Sequence, residues 1–325
     1  MFLLFFMMTV LAQPPQVDLH LDTPTQLLTK QLDWEAPEGL EAGLAQLKTG
    51  GTNLPVMVLW PPRQGDHVAR TFALMEVVEK QVDRISGVYL VTDPTTARSV
   101  VANGGIGVII SLEGAHGLGT GDWLANLDNL HGRGLALLGL TWSMSNRFAG
   151  SSGDKGEGLT EEGHELVREA NRRGLVLDVS HASRQTAMEV CRMSVAPIIA
   201  SHSNSFRLKG ATRNLTDDEI RCIGKKGGVI GLNFHSPFVG TNADVGMVAD
   251  HADAIAAIAG HGAVALGSDF DGFIRTPSGL SDAGTIGALW EELARRGWSE
   301  EQILGVRGEN FLRTWSAVLA SRTTP

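Results

Sequence analysis

Side chains able to bind metal ions or to act as acids and bases follow several apolar runs of this sequence. His20 and Asp22 lie one residue apart in "VDLHLD" (17–22), an otherwise apolar stretch. If the stretch is a strand, its period of two places His20, Asp22 and also Asp18 on one face. Burying such groups without a partner would cost several kcal/mol. The segment therefore predicts either a metal site or a local hydrogen-bonded pair.

Comparable residues end four later apolar runs: Glu113, His181, His202, and the pair Asp269 and Asp271, which strand alternation places on one face. Three histidines and two or three carboxylates are too many for one tetrahedral zinc ion. They suit two divalent ions that share a bridging carboxylate. Glu113 lies between the runs that supply the other ligands, so we expect it to be the bridge. Taken together, these residues favour the metal interpretation of His20 and Asp22.

The elements that must position these side chains are eight short, nearly continuous apolar runs with helix-like segments between them. The runs cover residues 16–22, 53–60, 107–114, 135–142, 175–182, 197–203, 227–234 and 263–270. Such continuous hydrophobicity is typical of parallel strands that are buried on both faces. Helices are predicted at 67–84 and 161–173. For the second, Thr160 is the expected N-cap and Gly174 the expected C-terminal glycine.

Eight such units predict an α/β protein with a (β/α)8 TIM-barrel fold, in which chemistry lies at the carboxyl ends of the strands. A doubly wound sheet is the alternative, but it would not usually need eight similar units. No glycine-rich dinucleotide fingerprint follows any of the runs. No linker composition interrupts the chain, so we predict a single domain over residues 13–325.

The composition is that of a globular protein with a large core. The chain has 325 residues, of which 43% are hydrophobic and 19% charged, and a formal net charge of −9. This charge argues against a nucleic-acid partner. Cys191 and Cys222 are the two cysteines. They exclude a disulfide framework, and their spacing neither supports nor excludes a single bond.

Residues 1–12, "MFLLFFMMTVLA", form an apolar segment that resembles a secretory signal, although no basic residue precedes it. Export to the periplasm or the medium is the favoured expectation. A hydrophobic tail packed on the body of a cytoplasmic protein is the alternative. The segment is too short to span a bilayer as a helix, so no stable membrane span is expected.

The order and spacing of the motifs resemble those of the membrane (renal) dipeptidases, di-zinc peptidases of the amidohydrolase-like barrel group. The similarity runs from about residue 17 to about residue 315. It rests on "DLHLD" at 18–22, "SLEGAH" at 111–116, "GLTEEG" at 158–163, "LDVSHAS" at 177–183, "SHSNS" at 201–205, "RN" at 213–214, "GSDFDG" at 267–272 and "GENFLR" at 308–313. Each motif alone is weak, but together they are specific.

The resemblance implies a metallo-dipeptidase with two Zn²⁺ ions per chain. One ion would be held by His20 and Asp22, the other by His181 and His202, with Glu113 bridging. A hydroxide between the ions would attack the polarised peptide carbonyl, with Glu113 and Asp269 as catalytic residues. The resemblance further implies that Arg213 binds the carboxylate of a small dipeptide substrate and that Asp269 binds its amine. Both pairings are chemically sound, since a guanidinium matches a carboxylate and a carboxylate suits an ammonium.

One position departs from the family pattern. Animal members have a histidine that polarises the carbonyl oxygen where this sequence has Trp142, in "LGLTWSMSN". An indole donates one N–H group but cannot carry a proton. We expect Trp142 to form an aromatic wall of the substrate pocket. His235, in "NFHSP", is the candidate replacement for the missing histidine.

Several alternatives stay open at this stage. Mn²⁺ or Co²⁺ would also suit mixed histidine and carboxylate sites. A di-metal hydrolase of another amide, a lactone or a phosphoester, or a non-catalytic zinc-bearing protein, would use similar ligands. The segment 143–158 is either a loop that shapes the pocket or a surface insertion, and His116 is expected near Glu113. The oligomeric state is open, a homodimer included.

Overall fold

The computed structural model describes residues 13–36, 38–154 and 156–322, in which parallel strands alternate with helices. The strands of this part of the chain are β1 (Val17–Leu21), β2 (Leu54–Leu59), β3 (Val88–Leu90), β4 (Ile106–Leu112), β5 (Leu135–Gly139), β6 (Val176–Asp178), β7 (Ile198–Ile199), β8 (Ile230–Leu232) and β9 (Val264–Leu266). The helices are α1 (Thr23–Lys30), α2 (Leu44–Gly50), α3 (His67–Arg84), α4 (Pro94–Ala102), α5 (Trp123–Gly132), α6 (Glu161–Arg173), α7 (Arg184–Met193), α8 (Asp217–Lys225), α9 (Ser236–Val239), α10 (Val245–Ala259), α11 (Gly287–Arg295), α12 (Glu300–Leu304) and α13 (Asn310–Ser321).

The strands form two parallel sheets. The larger has the order β1-β2-β4-β5-β6-β7, with β3 paired to β4 outside this path, and the smaller consists of β8 and β9. Single parallel bridges join the two sheets, one between Ala200 and Ile230 and one between Leu21 and Phe270. The predicted parallel α/β class is confirmed. Continuous ladders are confined to the two sheets, and only single bridges join them, so closure into the predicted eight-stranded barrel stays a prediction.

The two helices predicted from sequence are present with the expected bounds. In α6 the Thr160 hydroxyl accepts a hydrogen bond from the backbone N–H of Gly163, and Glu161 and Glu162 occupy the first turn. Gly174 ends the helix with a φ of 74°, a conformation that favours glycine. The helix therefore begins and ends where its capping residues require.

The predicted strands differ from the observed ones in two respects. β3 was not predicted, because its three residues include the exposed Tyr89 and give no apolar run. The run at 197–203 contains only the two-residue strand β7, and the run at 175–182 only the three-residue β6. Polar residues at the ends of these runs leave the strand conformation; His181, for example, has a φ of 65°. The ends of the runs form the loops that carry the site.

The core lies between the sheets and the surrounding helices. Apolar residues of β1, β2, β4 and β5 are almost completely inaccessible to solvent. At the amino-end side, Phe311 and Trp315 of α13 stack on each other with ring centroids 5.7 Å apart, and both are buried. The apolar packing therefore covers both faces of the strands, as their sequence predicted.

Cys191 of α7 and Cys222 of α8 form a disulfide bond between neighbouring helices. The sequence left this bond open, because a separation of 31 residues carries no pairing signal. The bond links the helix after β6 to the helix after β7.

The segment 143–158 is not a loose insertion in the part that the structure describes. Phe148, Ala149 and Ser151 are buried, and the Ser151 hydroxyl donates a hydrogen bond to the Trp142 carbonyl. An isolated bridge also joins Ser151 to Ala182. The segment is therefore packed against the end of β6 and shapes the rim there.

The signal-like segment at 1–12 lies outside the described residues. Within the described ranges, none of the helices combines the length and the apolar character needed to cross a bilayer.

Candidate metal centre

The predicted ligands come together at the carboxyl ends of the strands. His20 lies near the end of β1 and is followed by Asp22, and Glu113 comes directly after β4. His181 and His202 lie in the loops after β6 and β7. All five side chains are buried. These residues are far apart in sequence, but the parallel strands place their carboxyl ends at one rim.

The three histidines point one ring nitrogen each toward Glu113. The distances from Glu113 Oε1 to Nε2 are 3.6 Å for His20, 3.0 Å for His181 and 3.5 Å for His202. The Nε2 atoms of His181 and His202 are 3.0 Å apart. His20 Nε2 lies 3.7 Å from Asp22 Oδ2 and has no hydrogen-bond partner among the described residues. Five ligand groups therefore converge on one small volume.

The protonation states favour cation binding. Burial, with a contribution from the positive charge of Arg213, lowers the pKa of His20 to about 3. Burial likewise lowers the pKa values of His181 and His202 well below their usual range. Each imidazole is therefore neutral at pH 7 and carries a lone pair that a metal ion can accept.

The carboxylates repel one another unless a cation lies among them. Burial, and after it the negative charge of Asp269, raises the pKa of Asp22 well above the usual value. Burial and the charges of Asp22 and Asp269 raise the pKa of Glu113 in the same way. A divalent cation would offset this repulsion and use the unpartnered His20 Nε2. The residues present therefore fit a metal ion.

Two groups of three residues have ligand atoms that all lie within 4.8 Å of one another. One group is Glu113, His181 and His202, and the other is His20, Asp22 and Asp269. A third group, His20, Asp178 and His202, meets the same distance criterion. The Ser201 hydroxyl already fills the space between these three side chains, bonded to each of them. This third group is therefore a hydrogen-bonded support behind the histidines.

Asp269 and Asp271 lie in different surroundings. The sequence predicted both on one face by strand alternation, but β9 ends at Leu266 and both aspartates have positive φ angles, 70° and 65°. Asp269 accepts a hydrogen bond from Asn233 Nδ2 at 3.0 Å and lies beside Asp22. Asp271 accepts hydrogen bonds from the Thr23 hydroxyl and the Glu41 backbone N–H, at 2.6 and 2.7 Å. The expectation of a common face was therefore wrong for Asp271, and it is Asp269 that faces the cluster.

Arg213 is buried with its guanidinium next to the histidine loop. Its Nη2 donates a hydrogen bond to the His202 carbonyl at 3.0 Å, and its Nη1 donates to the Ser203 hydroxyl at 3.3 Å. Its buried Nε–H has no partner among the described residues. The guanidinium is thus fixed in place and retains unused donors.

A cavity of about 310 Å³ opens beside the cluster and is lined by Asp22, Glu113, His181, Asp269, Trp60, Trp142, Ser143 and His235, among others. Trp142 packs edge-on against Trp60 with ring centroids 5.0 Å apart. His235 Nδ1 accepts a hydrogen bond from the Arg275 backbone N–H at 3.3 Å. The cavity therefore has a charged floor and an aromatic wall.

His116 does not contact the cluster through either ring nitrogen. Its Nε2 pairs with the Pro61 carbonyl at 2.9 Å, and its Nδ1 has no partner in the described structure. Trp60, Asn233, Asp178 and Ser201 were not singled out from the sequence. Asp178 and Ser201 flank predicted ligands in "LDVSHAS" and "SHSNS", and this adjacency was the signal that could have identified them.

A parallel α/β fold with buried histidines and carboxylates at the carboxyl ends of its strands is typical of metal-dependent hydrolases. The model of the membrane dipeptidases, peptidase family M19, matches residues 5–324, and the chain belongs to this family. It is a metallo-dipeptidase, as the sequence motifs predicted.

Solved structures agree with this assignment. Dipeptidase AC, a metallopeptidase of family M19, is 27% identical, with a TM-score of 0.87 over 94% of this chain and 99% of its own. A metallopeptidase from Rhodobacter sphaeroides, solved with a phosphinate mimic of L-Ala-D-Ala, is 26% identical, with a TM-score of 0.86 over the same shares. The probable dipeptidase PvdM from Pseudomonas aeruginosa is 21% identical, with a TM-score of 0.88 over 95% and 96%, and supports the fold alone.

Proposed function

We propose that this metallo-dipeptidase hydrolyses dipeptides with two zinc ions bound at the cluster. His20 and Asp22 would hold one ion, His181 and His202 the other, and Glu113 would bridge them. The observation that carries the proposal is the convergence of three neutral imidazole nitrogens on one Glu113 oxygen. Such ions, when bound, polarise a peptide carbonyl and activate water at neutral pH.

Two side chains are proposed to hold the ends of the dipeptide. Arg213 would bind the terminal carboxylate, because its guanidinium is held by His202 and Ser203 and has unused N–H groups. Asp269 would bind the amine, since its carboxylate lines the cavity and is oriented by Asn233. A substrate held at both ends is restricted to the length of a dipeptide.

We propose His235 as a donor to the substrate carbonyl oxygen. Burial and the charges of Arg275 and Arg213 lower its pKa, so the ring is neutral at pH 7. Its Nδ1 accepts a hydrogen bond, and the neutral ring must therefore carry its proton on Nε2. Trp142 with Trp60 would form the wall for a substrate side chain. An unchanged rate of dipeptide hydrolysis in His235→Ala would remove His235 from this role.

The first experiment measures metal content and activity together. The purified protein would be analysed for metal per chain and assayed with L-L and L-D dipeptides before and after chelation. L-Ala-D-Ala belongs in the panel because of the mimic bound to the Rhodobacter sphaeroides protein. We expect about two zinc ions per chain and chelator-sensitive cleavage that zinc restores. A metal-free protein, or two ions without cleavage of any dipeptide, would contradict the proposal.

The role of Arg213 has its own test. Dipeptides would be compared with the same dipeptides amidated at the C-terminus. Arg213→Ala should lower kcat/KM for the free acids about 100-fold and leave the amidated substrates little changed, because only the former lose a charge-assisted pair. Arg221→Ala, which removes an exposed arginine paired with Asp218, is the matched control. An equal loss for both substrate sets would argue against carboxylate binding by Arg213.

We also propose export of the chain. The apolar segment at 1–12 supports it, and so does the disulfide between Cys191 and Cys222, because such bonds persist in oxidising compartments. Cell fractionation with mass analysis of the mature N-terminus tests the proposal. A cytoplasmic protein with reduced cysteines would contradict it.

A further inference from the structure

Ser201 lies behind the metal-facing edges of two histidines that are assigned to different ions. Its hydroxyl is 2.7 Å from His202 Nδ1 and 3.3 Å from His20 Nδ1. The two imidazole rings face each other with centroids 3.6 Å apart. One buried hydroxyl therefore contacts both ligand sets.

The proton of this hydroxyl has a defined acceptor. Ser201 Oγ is 2.6 Å from Asp178 Oδ2 and 3.3 Å from the Ser180 hydroxyl. The shorter bond to a carboxylate oxygen is the stronger one, so the hydroxyl donates to Asp178. A hydroxyl has one proton and two lone pairs. Because its single proton is donated to Asp178, the Ser201 hydroxyl can only accept hydrogen bonds from the two imidazoles.

The backbone holds Ser201 and Asp178 in this arrangement. Asp178 Oδ1 accepts hydrogen bonds from the backbone N–H groups of Ser180 and Ser201, at 2.8 and 2.9 Å. The Ser201 carbonyl packs against Gly231 and Gly267, where an added Cβ would lie only 1.8 Å from the carbonyl oxygen. Ser201 therefore has little room to move away from the histidines.

We infer that Ser201 is a positioning residue that sets the tautomer of both His20 and His202 and so contributes to the affinity for both metal ions. Both rings must carry their proton on Nδ1 to donate to Ser201, which leaves both Nε2 lone pairs for metal. His181 differs, because its Nδ1 pairs with the separate hydroxyl of Ser143 at 3.1 Å. This inference rests on the ligand assignments of the proposed function.

The test compares three serine-to-alanine variants by titration with zinc under a buffered free-zinc concentration. Ser201→Ala should weaken both binding steps, each about 10- to 100-fold, which is the usual range for loss of a group that orients a ligand. Ser143→Ala should weaken only the step that involves His181. Ser194→Ala removes a buried hydroxyl of similar bonding, to Asn171 and Ala196, and should weaken neither step. If Ser201→Ala leaves both steps unchanged, or shifts only one, the inference is overturned.

A second measurement does not depend on any variant. Nitrogen-15 NMR of histidine-labelled, metal-free wild-type protein at pH 7 reports which ring nitrogen carries the proton. We expect Nδ1–H for both His20 and His202, and an Nε2–H tautomer at either would overturn the inference. Wild-type protein that takes up no zinc would instead refute the proposed function, so the two failures are distinguishable.

Discussion

Around the amino end of β1, the buried polar side chains of Gln16 and Asn53 are hydrogen-bonded, whereas at the carboxyl ends of the strands several buried polar atoms have no partner among the described residues. Gln16, just before β1, accepts a hydrogen bond from Arg307 and donates to Thr52, and its backbone N–H bonds to Asn53 Oδ1 at 2.8 Å. Asn53 Nδ2 in turn donates to the Pro14 carbonyl. At the opposite end, His20 Nε2 and Arg213 Nε are buried without partners in the described structure, and carboxylates lie side by side.

The difference separates polar residues that stabilise the fold from polar residues that are kept for a ligand. A satisfied buried polar group costs little, while an unsatisfied one is destabilising by about 1–3 kcal/mol. Under the proposed function, substrate or metal would complete the bonding of these groups at the carboxyl ends. Removing a polar group at the amino end should therefore lower stability and leave activity unchanged. Removing one at the carboxyl ends should lower activity and cost little stability.

The largest expected effect is that of Glu113→Gln. We expect kcat/KM to fall at least about 1,000-fold, because the charge proposed to bridge the two ions is lost. The metal-free variant should be as stable as the metal-free wild type or more so, since burial and the charges of Asp22 and Asp269 already disfavour a charged Glu113. Urea unfolding with chelator present measures this. A large loss of stability in the metal-free variant would contradict the comparison.

Gly272→Ala should damage the site without replacing any predicted ligand. An added Cβ would lie 2.6 Å from Asp22 Oδ2 and 2.7 Å from Asp269 Oδ1, so one carboxylate must move. We expect about a 10- to 100-fold loss of zinc affinity, measured by competition with a chelator. Gly132→Ala at the end of α5 has open space around the new methyl group and is the control. Equal zinc affinity in the two variants would show that the carboxylates tolerate displacement.

At the amino end, Asn53→Ala should lower the free energy of unfolding by about 1–3 kcal/mol, because the buried Gln16 N–H loses its acceptor. Metal content and KM should stay at the wild-type values. Asn103→Ala, whose amide bonds to Ser99 at an exposed site, should change stability by no more than about 0.5 kcal/mol. A change in zinc affinity in Asn53→Ala would contradict the separation of fold-stabilising polar residues at the amino end from ligand-binding ones at the carboxyl ends.

His116 tests a buried histidine at the carboxyl end that does not contact the cluster through a ring nitrogen. Burial, which outweighs its bond to the Pro61 carbonyl, lowers its pKa to about 4 from 6.5. As the pH falls, His116 is therefore protonated at a higher pH in the unfolded chain than in the folded protein. The folded state loses stability from about pH 6.5 downward. This residue should account for about 2 kcal/mol of destabilisation between pH 7 and pH 5. The loss over this pH range should be smaller by that amount in His116→Gln, and an identical loss in both proteins would contradict the assignment.

The sequence predicted which ligand-type residues come together better than it predicted where the strands end. The parallel α/β class follows from the continuous apolar runs, and α3 and α6 were predicted to the residue because their patterns and caps are local. β3 was missed because it is short and partly exposed, and Asp271 was misplaced because residues 269–271 leave the strand conformation. Backbone conformation at these loops depends on distant contacts, such as the bond from Thr23 to Asp271.

The sequence by itself determined which chemistry is available, since residue types and their places after apolar runs predicted His20, Asp22, Glu113, His181 and His202 as a metal group. Tertiary structure decided which atoms meet. The three Nε2 atoms that converge on Glu113 belong to residues at least 21 positions apart in sequence. The Ser201 hydroxyl contacts its neighbour His202 and also His20, which is 181 positions away. Local patterns report whether a residue suits a strand or a helix, but hydrogen-bond partners across strands are fixed only when the whole sheet packs.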